Sequence, residues 1–222
     1  MKSVFKVKFP VLQPKYSLAA SIISGILALS GIVWLQLNLP GCRYAGSALI
    51  AVGLITYLLF AGEWSPAEIR YVILVFAVGT GILAIAERNP AMFGSFSMGP
   101  GLGPFLGSVG LLCGLLVALP VLFSFPLTAR LTDNIYLRSL FGGIMVTVPA
   151  ILISYNGELL QFFTWFDFVP SASGFIIWFV IAFFLHFAGN QFQVKVENPM
   201  ALPLYITWLT AQVVITVLRF AS

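Results

Sequence analysis

The sequence predicts an all-α fold, a polytopic membrane helix bundle with seven transmembrane helices and a cytoplasmic N-terminus. Three observations predict it. Lys and Arg number 11 and Asp and Glu 7 in 222 residues, whereas about a quarter of a soluble protein is charged, so a water-facing surface cannot be built. Hydrophobic residues make up 60% of the chain and the mean hydropathy is +1.03, too apolar for a disordered or ordinary cytosolic protein. Finally, seven apolar runs approach the roughly 20 residues needed to cross a ~30 Å hydrocarbon layer.

In chain order the runs are Tyr16 to Leu37, Tyr44 to Gly62, Ala67 to Ala86, Gly103 to Phe125, Tyr136 to Tyr155, Gly174 to Phe192 and Met200 to Phe220. Charge, Pro or Gly marks each boundary, as at helix ends generally. The first run follows four lysines, but it is too long for a signal peptide and lacks a clear small-residue cleavage site, so a retained helix is expected. With seven spans, alternate connections collect Lys2, Lys6, Lys8, Lys15, Arg70, Arg130, Arg138 and Lys195 on one side. Arg43, Arg88 and Arg219 fall on the other. The positive-inside rule then puts the N-terminus in the cytoplasm and the C-terminus outside. No long polar linker or repeat divides the chain, so a single membrane domain is expected, with residues 1–15 a basic cytoplasmic segment and 16–222 the bundle.

Several functions are excluded. The pI near 9.2 rests on a net charge of only +4, and no cluster of Lys and Arg in polar surroundings offers a nucleic-acid surface. Two cysteines, Cys42 and Cys113, with the single His186, do not make a zinc site. One histidine is also too few for the paired axial ligands of a membrane haem. No metal or organic cofactor is expected.

Polar residues within a membrane protein are functional candidates, because placing them there is costly. Two long connections on the outer side hold most of them. The first, Glu87 to Leu102, contains Phe93, Gly94 and Phe96, and its glycines permit tight turns that fold back to cap or enter a pocket. Alternatively Gly99, Gly103 and Gly107, with Gly110 and Gly114, let helices approach closely. The second, Asn156 to Ser173, carries Glu158, Phe162, Phe163, Trp165, Phe166, Asp167 and Phe168. Aromatic rings beside isolated acids suit a helix lying at headgroup level, or the floor of a hydrophobic groove in which one acid supplies a proton. His186, mid-run, reads as a hydrogen bonder between helices.

From Ala86 onward, Glu87, Phe93, Gly94, Phe96, Leu102 and Gly103, then Trp165, Trp178, Asn198, Pro199 and Tyr205, form a pattern that resembles the integral-membrane carotenoid biosynthesis proteins that include carotenoid hydratases and bisanhydrobacterioruberin hydratase. In that family an acid ending a helix precedes Phe-Gly-x-Tyr-x-Tyr, then Leu-Gly and Val-Pro-Leu. Here Glu87 precedes Phe93, Gly94, Phe96, Met98, Leu102, Gly103, Val109 and Leu111, with both tyrosines replaced and Gly110 in the proline position. A late Asn-Pro, small residue and Leu-Tyr is matched by Asn198, Pro199, Ala201, Leu204 and Tyr205, while Trp165, Val169, Pro170 and Trp178 fall in family order. The chain departs from the pattern at Ala150, Ser154 and Tyr155, where the family has acids and a proline, and near Ser173, where it has Asn.

The resemblance implies a protein of a bacterial or archaeal cytoplasmic membrane that adds water to the terminal double bond of an acyclic carotenoid. Glu87 would be the acid, its pKa raised by desolvation, and Glu158 or Asp167 would orient water. Phe93, Gly94, Phe96, Trp165, Trp178, Asn198 and Tyr205 would contact the substrate, aromatic faces tolerating the cation. The competing expectation is a non-catalytic member that binds a carotenoid or lipid, or packs within a larger membrane complex, for which the missing acids speak. A transporter is a third reading, from the prolines at Pro120 and Pro149. Expected partners are membrane lipid and a carotenoid or other isoprenoid ligand.

Overall fold

A computed structural model describes residues 7–8, 17–36, 44–60, 63–166, 172–194 and 198–221. Asp167, Val169, Pro170 and Cys42 lie outside the described residues, as do Lys2, Lys6, Lys15, Lys195 and Arg43. The chain is mostly helical, with seven long helices among the described residues and a single-turn one.

Helix α5 (Cys113–Leu131) is the centre of the bundle. Charge is absent from it before Arg130, and every residue from Leu116 to Thr128 is buried. A helix apolar on all sides is one that other helices surround. Around it stand α2 (Ala45–Phe60), α3 (Pro66–Glu87), α6 (Ile135–Asn156) and α8 (Ala201–Ala221), while α1 (Ser17–Gln36) lies against α2 and α8 and α7 (Ala172–Gln191) runs along α6. Five of these, α3, α5, α6, α7 and α8, are long and apolar enough to cross a membrane. α1 and α2 are apolar over the shorter stretches Leu18–Trp34 and Ala45–Phe60. Exposed Ile22, Ile26, Ile73, Ile176, Phe184 and Ile206 give the outer surface the apolar character that contact with lipid chains requires.

Local sequence sets the helix ends. Ser65 caps α3 in a reciprocal box with Glu68: the Ser65 hydroxyl accepts the Glu68 N–H, and the Glu68 carboxylate accepts the Ser65 N–H. Pro66 follows at the first helical position, where a missing N–H costs nothing. Asn134 caps α6, its Oδ1 accepting from Tyr136 N at 2.9 Å and Leu137 N at 3.2 Å.

Apolar surface gives no preference for helix over lipid, so tight seams rest on small residues. On α3 and α5, Gly79 and Gly114 each face the other helix's backbone; a Cβ at Gly79 would lie 2.8 Å from the Gly114 carbonyl oxygen, and one at Gly114 2.6 Å from that of Phe76. Between α6 and α7, Gly142 and Gly143 admit the rings of His186 and Phe179. His186 is the interhelical hydrogen bonder expected: its Nε2 lies 3.0 Å from Ser124 Oγ on α5, and Nδ1 is 2.9 Å from Ala182 O. Because a carbonyl only accepts, Nδ1 carries a proton toward Ala182 O, and the Ser124 hydroxyl beside Nε2 also lies 2.7 Å from Pro120 O.

The connections gather at two ends of the bundle. At one end β1 (Val7–Lys8) pairs antiparallel with β2 (Glu63–Trp64), near Arg70, Arg130 and Arg138. The other end holds Arg88, Arg219 and both long connections. There the one-turn helix α4 (Pro90–Phe93), strand β3 (Phe96–Met98), a 3-10 turn (Pro100–Leu102) and the hairpin of β4 (Phe105–Leu106) with β5 (Val109–Gly110) fill the first connection. The second supplies β6 (Phe163–Trp165), paired antiparallel with β3.

Two expectations are corrected. The fourth apolar run does not begin its helix at Gly103: α5 starts at Cys113, because Gly103 and Gly107 have φ of +79° and +67° and turn the chain into the β4–β5 hairpin. Residues 163–165, for which the sequence left open a helix at headgroup level or the floor of a groove, form a strand and not a helix.

Candidate functional site: an apolar cavity beneath a two-stranded roof

The β3–β6 pair has a two-residue period, and the bundle reads it as inside and outside. Phe96 lies opposite Trp165 and Met98 opposite Phe163, and these four side chains turn inward. Thr164 between them is exposed. The inward rings form one cluster, with Phe96 5.2 Å from Phe163 and 5.1 Å from Trp165 between centroids.

Below this roof is a cavity of about 50 Å³. Its walls are Leu83 and Ala86 of α3, Leu116, Val117 and Pro120 of α5, Val146, Ala150, Ile153 and Ser154 of α6, and Gly174, Phe175 and Trp178 of α7. Phe93 closes it beside the roof, edge-on to Trp178 at 6.5 Å. Since a water needs roughly 10–15 Å³ on this measure, the space suits the branched end of an apolar chain. Among the described lining residues, Ser154 donates its hydroxyl to Ala150 O at 2.9 Å and Trp165 its indole N–H to Ser154 O at 3.0 Å, and Trp178 is the other side chain with a polar atom. Ser154 and Trp165 are thereby turned to the backbone.

Two connections interlock to hold the roof. Gly99 N donates to Phe162 O at 2.8 Å and Gly101 N to Gln161 O at 2.7 Å. A Cβ at either glycine would collide with the carbonyls of residues 160–161. Ser47 of α2 ties the first connection down, donating to Gly101 O at 2.7 Å. The first connection thus folds back onto the bundle, as its glycines suggested.

No family model, curated protein or solved structure matches this chain. The chemistry of the site is therefore read from its own residues.

Four sequence-derived candidates, Phe93, Phe96, Trp165 and Trp178, meet in the cavity wall. Gly94 turns the chain between Phe93 and β3 with φ +86°. Glu87 is adjacent rather than lining: it is half-buried at the end of α3, and Oε1 accepts Met98 N at 3.3 Å. Glu158 mirrors it on the other strand, Oε1 accepting Trp165 N at 3.3 Å and Oε2 pairing with Arg219 at 3.2 Å. Each acid holds one strand of the roof. Asn198 and Tyr205 lie elsewhere: Asn198 bridges Tyr57 O at 2.8 Å and Met200 N at 2.9 Å, and Tyr205 donates to Met145 O at 2.8 Å.

Sequence reasoning missed several buried polar groups, among them Asn156, Gln212, Glu68 and Ser124. Asn156 donates to Gln212 Oε1 at 2.9 Å and accepts from Thr216 at 3.1 Å, joining α6 to α8. Glu68 is buried in its capping box, a signal readable as Ser-Pro-Ala-Glu before an apolar run. Ser124, the partner of His186, sits in a run too apolar to mark it. No group of three or more His, Cys, Asp or Glu that could hold a metal occurs among the described residues.

Proposed function

We propose that this chain is a membrane protein that binds the end of an elongated isoprenoid, of the acyclic carotenoid class, without converting it. The observation that carries this reading is the cavity wall. In the resembled family the fifth-helix acids fall at Ala150 and Ser154, and here those two residues line the cavity with a methyl group and a back-bonded hydroxyl. An apolar, aromatic pocket with no carboxylate in its wall has the chemistry to hold a hydrocarbon end. It has nothing in the wall to protonate one.

Glu87 favours a second reading, a hydratase. It follows Ala86, which lines the cavity, and it is half-buried at the roof's edge. A small shift of β3 would release it from Met98 to act as the acid.

In either case the chain spans the membrane seven times with its N-terminus in the cytoplasm, in a bacterial or archaeal cytoplasmic membrane. Support comes from the two bundle ends, where Lys8, Arg70, Arg130 and Arg138 gather against Arg88 and Arg219.

The test is expression in a host that makes acyclic carotenoids, followed by purification and pigment analysis. Unaltered pigment copurifying with the protein is expected. Hydroxylated pigment would favour the hydratase, and folded protein with neither would overturn both.

A further inference from the structure

The cavity is ringed by α3, α5, α6 and α7, and three of the four seams of that ring are packed: α3 with α5, α5 with α6, and α6 with α7. The fourth is not. α3 and α7 make almost no direct contact among the described residues. They are joined near one end, where Tyr71 donates to Leu185 O at 3.1 Å and its ring lies against Gly189. Toward the roof, among the described residues, they are joined through α4, which packs on both. Between these ties Leu83 and Ala86 of α3 face Phe175 and Trp178 of α7 across the cavity. Among the described helices, α1, α2 and α8 pack on α5, α6 or one another rather than on α3 or α7. The flanking residues Ile85 and Ile176 are exposed and apolar.

We infer that the α3–α7 gap is a lateral portal, through which an apolar chain passes from the bilayer core into the cavity, with the Phe93–Trp178 ring pair as its gate. This rests on the binding reading above and deepens it. The roof is stitched by backbone hydrogen bonds and by the two acids, so a ligand passing through it would have to break several bonds at once. A chain sliding between α3 and α7 has only rings to displace, and it remains in hydrocarbon throughout. Such a route selects ligands with an unsubstituted apolar end, because a charged or strongly hydrated terminus would have to be desolvated before reaching the gap.

The experiment uses the full chain in vesicles of phosphatidylcholine carrying a diazirine near the acyl-chain terminus, with adducts mapped after illumination. Leu116 and Val117, buried behind the gap, are expected to carry acyl adducts in addition to lipid-facing Ile73. Trp178→Ala is expected to raise the Leu116 and Val117 yield severalfold relative to Ile73, whereas Ser124→Ala leaves the ratio unchanged. Adducts confined to outward faces would overturn the portal. So would labelling of Val117 by a water-soluble diazirine but not by the acyl probe, which would mean access through the roof. An unchanged ratio in Trp178→Ala would remove the gate. Since the probe is the bilayer lipid itself, acyl adducts in the cavity of a protein that retains no pigment would refute the carotenoid reading and leave the portal standing.

Discussion

Glu87 accepts the backbone N–H of Met98 through Oε1 at 3.3 Å, so the acid that ends α3 is a strut for strand β3. Glu158 does the same for β6 through Trp165 N. Two acids that sequence reasoning paired for chemistry are paired by the structure for support.

If Glu87 is a strut, Glu87→Gln keeps an acceptor oxygen and is expected to retain both fold and bound ligand. Glu87→Ala loses the hydrogen bond and is expected to cost about 1 kcal/mol. Thermal unfolding in detergent, with pigment absorbance read alongside, separates the two. Loss of hydrated product in Glu87→Gln, with ligand still bound, would instead identify an acid.

Close approach of the two connections makes Gly101 irreplaceable in a way that Gly81 is not. A Cβ at Gly101 meets the carbonyls of Leu160 and Gln161, whereas one at Gly81 meets nothing within 4 Å. Gly101→Ala is expected to destabilise by about 1–3 kcal/mol, and Gly81→Ala, in a helix, to stabilise by ~0.5–1 kcal/mol. Unfolding curves of the two variants should therefore move in opposite directions.

A Cβ at Gly142 would enter the imidazole of His186. Gly142→Ala is thus expected to be destabilising alone and close to neutral when combined with His186→Ala, a non-additivity within the 0.5–3 kcal/mol range of contacting residues (about). A double-mutant cycle measures it, and additive costs would mean the ring does not occupy that space.

Arg219 and Glu158 keep about a third of their side chains exposed, 35% and 38%. A pair this open contributes at most ~1 kcal/mol, so Arg219→Gln is expected to shift unfolding only slightly and to leave ligand retention unchanged.

Most helices were legible in the sequence because hydropathy and charge mark them directly: the run from Ala67 to Ala86 is α3 to within one residue at either end, and that from Tyr136 to Tyr155 is α6 likewise. The fourth was misplaced because Phe105, Leu106 and Leu111 are as apolar as any spanning residue, and hydropathy does not register a positive φ at Gly103 or Gly107. Phe93, Phe96, Trp165 and Trp178 were legible as aromatics near acids, but not their shared cavity, which depends on the β3–β6 register. Nothing in a one-dimensional pattern pairs residues 96 and 165. Asn156 and Gln212 escaped notice for the same reason, being partners from helices 56 residues apart.

Ala150→Phe fills the cavity from its wall while leaving the roof's hydrogen bonds intact, so comparing it with the wild-type chain, both purified from an acyclic-carotenoid host, tests the binding account most directly. Copurifying pigment in the wild-type chain, lost in Ala150→Phe at a nearly unchanged melting temperature, is the expected result. Equal pigment in both would contradict it, because the ligand would then lie outside the space beneath Phe96 and Trp165.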